Sequence, residues 1–262
     1  MKRIEVEERI FDQFVEYRGN DEDSRALGRL IKVSSQKKKE EEDRIAVVIL
    51  EDHWFNFDQN PGQASNAPFL EGVCRLVDNL KSYHLNFYDA DSFERALQAA
   101  ATVPEKRIIL YVGAHGSKCR VSSANATNLM KKVADFSRKR KIEGVLLSAC
   151  LAGGHDPALS EALKGGTNWI FGYTSAVDFL GSVQVEAAIL EQLGRTGPLI
   201  AENEPEIVKV FGAALACFNP KWEIGTAPAL TLAQSIRFVT RGKRMQTPVD
   251  HTADVIKQAW PG

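Results

Sequence analysis

Arg107-Ile108-Ile109-Leu110-Tyr111-Val112-Gly113-Ala114-His115-Gly116 and Gly144-Val145-Leu146-Leu147-Ser148-Ala149-Cys150 are the two stretches that decide the fold. Each opens with an unbroken apolar run, the pattern of a strand buried on both faces, and each ends in a reactive side chain. The same pattern extends outward. Residues 44–50 (RIAVVIL) form a first buried strand, and 84–88 a second. Residues 169–173 (WIFGY) form a fifth. Between them lie amphipathic segments with helix punctuation. Asn66 caps one with Pro68 in its first turn, and Asp91 with Glu94 opens another that runs to Ala101. A helix spans about 124–140. Asp156 and Pro157 start a short one that Gly165-Gly166 ends, and another covers 181–193. Strands alternating with helices predict an α/β chain, with a doubly wound, mostly parallel sheet and helices on both faces in three αβα layers.

The rhythm weakens after residue 195. A helix is expected over 204–218 and another over 229–239, and the chain beyond 247 carries no clear signal. Residues 1–43 differ from the rest. A short stripe (Ile4, Ile10, Phe11, Phe14, Val15) precedes a polar stretch, and the run SSQKKKEEED closes the region. The domain reading is therefore an N-terminal helical extension with a charged linker over 1–43, followed by one domain over 44–262. The motif-bearing core of that domain is about 44–195. The extension is expected to dock through Ile10, Phe11 and Phe14, because its stripe would otherwise be exposed.

Composition removes several classes of function. The chain has 262 residues and a formal net charge of -1, so no basic excess invites nucleic acid or anionic lipid. No apolar run is long enough to cross a bilayer and no secretory h-region is visible, so a cytoplasmic protein without membrane insertion is expected. The four cysteines (Cys74, Cys119, Cys150, Cys217) make no CxxC or CxxH pair, so neither a metal nor a cofactor is expected. In a reducing compartment they stay free thiols.

In an open parallel sheet, ligands gather beyond the carboxyl ends of the strands. His115 follows the third strand and Cys150 closes the fourth. If those strands are neighbours, their ends lie roughly 5 Å apart. Thiol and imidazole then share one site, with Cys150 as nucleophile and His115 as general base. The backbone N–H groups of Gly116 and Cys150 are candidate oxyanion donors. A lone strand-end cysteine is more often a small buried residue, so the pairing carries the weight. No Asp or Asn is placed to orient His115, so a dyad is expected. His155 is kept as an alternative base, and Cys74 and Cys217 read as packing residues.

An apolar strand ending in x-His-Gly, a helix, and an apolar strand ending in Ser-Ala-Cys together resemble the caspase-like cysteine peptidases. That group spans caspases, metacaspases, gingipains, separases and CHAT domains, and Leu147-Ser148-Ala149-Cys150 is closest in wording to the CHAT type. The caspase signature Q-A-C-[RQG]-G is absent, since Ser148 stands where its Gln would be. The resemblance implies a caspase-like fold, a Cys-His dyad and endopeptidase activity on a protein or peptide substrate through a thioester. In bacterial relatives that substrate is often a partner encoded nearby, within a defence or cell-death system. It also implies a specificity pocket built from Asp52 and His53, Ser148, and the loop from Tyr173 to Asp178. Asp52 or Asp178 would favour a basic residue before the scissile bond. If Asp52 points to solvent and Asp178 caps the next helix, an uncharged residue would fit instead. Two other readings compete. A non-catalytic caspase-like scaffold has no need to keep both dyad groups, and a nucleotide-binding α/β protein would carry G-x-G-x-x-G after its first strand, where this chain has Glu51-Asp52-His53-Trp54.

Overall fold

The computed structural model of the chain describes residues 15, 23–52, 65–196, 203–242 and 248–261. Ile4, Ile10, Phe11, Phe14 and His53 lie outside these. The chain divides into two compact units, Met1–Glu42 and Asp43–Gly262. In the first, helix α1 (Asp23–Asp43) leaves Leu27, Ile31 and Val33 exposed.

The second unit is built on a seven-stranded sheet. Its strands are β1 (Ile45–Asp52), β2 (Leu80–Phe87), β3 (Arg107–Ala114), β7 (Ile142–Ala149), β8 (Trp169–Tyr173), β12 (Ile236–Arg241) and β13 (Pro248–Asp250). They lie in the order β13-β12-β8-β7-β3-β1-β2. The five from β8 to β2 run parallel, while β12 is antiparallel to β8 and β13 to β12. Two small three-stranded sheets are appended. One is β4 (Gly116–Ser117), β5 (Arg120–Val121) and β6 (Ala124–Asn125). The other is β9 (Ala176–Val177), β10 (Glu223–Ala227) and β11 (Ala229–Thr231).

The layers follow from the strand order. From β1 the chain steps one way to β2, then back past β1 to β3, β7 and β8. Because parallel crossovers are right-handed, a reversal of direction moves the connecting helix to the other face. Accordingly α2 (Ala67–Leu76) covers one face, and α3 (Ala90–Ala100), α4 (Ala126–Ser137) and α5 (Asp156–Lys164) cover the other. Returning to the first face are α6 (Phe179–Gly194), α7 (Glu204–Leu215) and α8 (Thr252–Ala259). The strands feed both cores alternately. Leu110, Val112, Val145 and Leu147 pack under α3–α5, while Ile109, Tyr111 and Leu146 pack under α2, α6, α7 and α8. The expected three-layer αβα fold is therefore present.

Three local expectations are corrected. The first turn of α3 is capped by Asp89, not Asp91. Asp89 accepts the Ser92 N–H at 2.7 Å, and Ser92 Oγ accepts the Asp89 N–H at 2.9 Å, a closed reciprocal pair that Glu94 does not complete. The cap of α5 sits at His155, one residue before Asp156. Residues 229–239 are not one helix: β11 is followed by a single helical turn, Leu232–Ser235, and then β12. The edge of β8 supplies the reason, since Phe238 pairs with Phe171 across it and joins Trp169 and Phe211 in an aromatic cluster. Burial at that edge outweighs local helix preference.

Candidate functional site

The register of β3 against β7 sets the site. Ala114 is paired with Ala149, and the next residue on each strand is His115 and Cys150. The two side chains leave adjacent parallel strands at the same level. Side-chain alternation assigns both to the face of Tyr111 and Leu146. His115 is exposed and Cys150 half-buried, so both are open to a substrate. The His115 carbonyl accepts the Ser122 N–H at 2.7 Å, which ties the turn between β5 and β6 to the end of β3.

Gly116 lies directly on the backbone of Cys150. A β-carbon there would stand 2.6 Å from the Cys150 nitrogen and 2.8 Å from the Ala149 carbonyl carbon. Only a residue without a side chain lets the two backbones approach this closely. If Cys150 is a catalytic nucleophile, Gly116→Ala is expected to displace it and lower kcat/KM by about a hundredfold, because misplacement by about 1 Å is that costly. Gly154→Ala, where an added β-carbon meets nothing within 4 Å, serves as the control and should stay within threefold. Equal rates for both variants would show that the close approach at Gly116 does not position the thiol.

After Cys150 the chain turns sharply. Leu151 adopts φ 64°, a left-handed conformation that a branched side chain rarely takes and that costs on the order of 1 kcal/mol. Its N–H donates to the Ser175 carbonyl at 3.1 Å. The 3-10 turn Ala152–Gly154 then packs on β8, where Gly153 sits against the backbone of Gly172 and Tyr173. Arg237 of β12 clamps this turn. It donates to the Gly153 carbonyl at 3.4 Å and pairs with Asp156 at 2.6 Å and Asp250 at 3.0 Å.

A buried polar chain lies under the carboxyl ends of the strands. Glu51, 2% exposed, accepts the Asn66 N–H at 2.6 Å and the Ser65 hydroxyl at 2.6 Å. His84 Nε2 stands 3.3 Å from the same carboxylate, and this contact raises the His84 pKa against the opposing effect of burial. Asn66 carries no side-chain cap bond at the start of α2. Its amide donates instead to the Tyr111 hydroxyl at 2.5 Å. Next to Tyr111 stand Ser148, Tyr173 and Glu186 of α6. Burial pushes the Glu186 carboxyl up to about 8, although the hydroxyls of Ser148, Tyr111 and Tyr173 oppose the rise.

The other predicted residues separate by position. Ser148 and Tyr173 are buried beside the reactive end of β7, with the Tyr173 hydroxyl donating to the Ser182 carbonyl at 3.2 Å. Asp178 caps α6 by accepting the Gly181 N–H at 2.7 Å. Asp52 closes β1, which is separated from β7 by β3. His155 contacts the Thr127 hydroxyl at 3.1 Å, across to α4. Cys74 is buried, which with the nearby Glu71 pushes its thiol up to about 12, and burial also raises Cys217. Cys119 is exposed. Among the described residues no cluster of three or more His, Cys, Asp or Glu could hold a metal, and no helix is long and apolar enough to cross a membrane.

The sequence reading missed Leu151, Arg237 and Glu186. For Glu186 a signal exists: it is the one carboxylate among Val183, Val185, Ile189 and Leu190, all buried on the same helix.

No protein-family model and no curated protein matches the sequence. Solved structures with a similar chain path include a secreted C11 cysteine protease from Bacteroides thetaiotaomicron, in complex with an irreversible peptide inhibitor. It is 11% identical with a TM-score of 0.43, over 74% of this chain and 65% of that one, just short of two thirds of its length. Another is caspase-1 from Spodoptera frugiperda, 14% identical with a TM-score of 0.46, over 76% of this chain and 87% of that one.

Proposed function

We propose that the chain is a caspase-like cysteine endopeptidase that uses Cys150 and His115 as its catalytic dyad. The observation that carries this reading is the register: Ala114 pairs with Ala149, so the imidazole and the thiol emerge together from neighbouring parallel strands. In the proposed cycle His115 takes the thiol proton and the Cys150 thiolate attacks the scissile carbonyl. The oxygen that becomes negative is met by the backbone N–H groups of Gly116 and Cys150, two residues whose backbones approach closely. Collapse breaks the C–N bond, and His115 returns its proton to the leaving amine. The thioester left on Cys150 is hydrolysed by a water that His115 deprotonates, which frees the acid and restores the thiol.

The sharp turn at Leu151 supports the same reading. A strained residue next to the nucleophile holds a reactive group at the tip of a strand instead of folding it into the core. The substrate in this reading is a protein or peptide, in the cytoplasm, with a partner encoded nearby as the natural target in a defence setting. The CHAT-like wording of residues 147–150 motivates that context.

A peptide bearing an irreversible thiol electrophile provides the test. It should label the wild-type chain once, at Cys150, identified by mass spectrometry after digestion. Labelling should vanish in Cys150→Ala and slow at least tenfold in His115→Ala. Labelling that persists in Cys150→Ala, for example at exposed Cys119, would refute the assignment.

A further inference from the structure

We propose that Glu186 forms the floor of the pocket beside Cys150 and selects arginine or lysine immediately before the scissile bond. This rests on the peptidase reading above and names the substrate class of that same site.

Three observations converge on Glu186. The first is position. Its carboxyl is ringed by Tyr111, Ser148 and Tyr173, each at or near the carboxyl end of its strand. Ser148 lies two residues before Cys150 on β7, and Tyr173 lies within electrostatic reach of Cys150. Ser148 has the smallest side chain of the ring and is the ring member closest in sequence to Cys150.

The second is an unmet demand for donors. Glu186 is 1% exposed, yet neither carboxylate oxygen has a hydrogen bond of good geometry. The neighbouring hydroxyls are close enough to favour the ionised form, yet none meets either oxygen with good hydrogen-bond geometry. Tyr173 donates to Ser182, and Tyr111 accepts from Asn66. No cation among the described residues pairs with Glu186. A buried carboxylate without partners is rare and costly, and a guanidinium brings five N–H donors in a planar fork that matches it.

The third is the sign of the surroundings. Glu51 adds a second buried negative group that acts on Glu186. Asp178, one of the two carboxylates expected to line the pocket, is occupied as the cap of α6. Tyr111 and Tyr173 stay protonated, because burial holds both well above the ordinary phenol range. The lining therefore offers Glu51, the Glu186 carboxyl, which a bound cation would ionise, and neutral hydroxyls, a setting that favours a substrate cation and disfavours an acidic side chain.

Two measurements on the full chain test this. The first is hydrolysis of a fluorogenic peptide library varied at the position before the scissile bond. Wild type should prefer Arg or Lys over Leu by at least tenfold in kcat/KM, and Glu186→Gln should reduce that ratio at least tenfold. The second avoids catalysis: calorimetric binding of benzamidine, a small amidinium, to Cys150→Ala. It should be lost in Cys150→Ala/Glu186→Gln. Because the carboxyl titrates near 8 among Glu51, Tyr111 and Tyr173, binding at pH 7 must release a proton, so affinity should rise with pH and level off above 8. A wild-type preference for an uncharged residue, or an Arg preference that survives in Glu186→Gln, overturns the proposal. So does benzamidine binding that ignores Glu186. Failure of the peptidase reading is separate: no peptide would be cleaved, while benzamidine would still bind through Glu186.

Discussion

Replacing Cys150 with Ala, or His115 with Ala, is expected to lower peptide hydrolysis by at least two orders of magnitude while the protein stays folded. Base and nucleophile act as one unit, so the double variant should be scarcely slower than either single one. The fold should survive because neither side chain is a core residue: His115 is exposed and Cys150 half-buried. Truncations at such positions usually change stability by about 0.5 kcal/mol or less. Steady-state assays on the three variants, with thermal melts alongside, decide the matter. Undiminished cleavage by Cys150→Ala would remove the thiol from the mechanism. Additive losses in the double variant would mean that the two groups do not act together.

The second large effect is on stability. Glu186→Gln should stabilise the chain, and the gain should grow with pH. The ordinary carboxyl pKa is 4.5 and that of Glu186 is about 8, so between these values the folded chain holds a proton that the unfolded chain has lost. Folding stability therefore falls as pH rises through this window and levels off above 8. At about 1.4 kcal/mol per pH unit, the accumulated cost is on the order of 5 kcal/mol. Glutamine fills the same space without a charge to bury, so it escapes that cost. Denaturant melts at pH 5, 7 and 9 should show a small difference at pH 5 and the largest at pH 9. A variant less stable than wild type at pH 9 would mean that the carboxylate is satisfied in place. If Glu186 selects basic substrates, the same substitution trades specificity for stability.

Legibility in the sequence followed the physical character of each signal. Strands buried on both faces announce themselves as continuous apolar runs. Residues 169–173 match β8 end to end, and 107–112 lie within β3. The placement of His115 and Cys150 at adjacent strand ends was legible because each follows such a run, and the position of a strand end follows from the run itself. Residues 229–239 were not, because Leu230, Leu232, Ile236, Phe238 and Val239 suit either period and only the open edge of β8 chooses the strand. The α3 cap was two residues off because Asp89 and Asp91 are chemically equal candidates, and the return bond of Ser92 separates them. Glu186 interrupts an apolar stretch of its helix, but that signal does not say what the side chain faces. Its neighbours come from β3, β7 and β8, and only the strand order brings them together.

The support of the Cys150 turn has a consequence for when the site comes into being. The loop after β8 receives the Leu151 N–H through Ser175, and Thr174 of that loop donates in turn to the Ser235 carbonyl. The Gly153 carbonyl is held by Arg237, 84 residues further along the chain. A chain emerging from the ribosome amino-end first therefore carries His115 and Cys150 long before it carries the residues that hold the nucleophile's turn in shape. If the chain is the proposed peptidase, any damage it could do to its own nascent chain or to neighbouring ones is deferred, by topology, until β12 has been made and has closed onto β8.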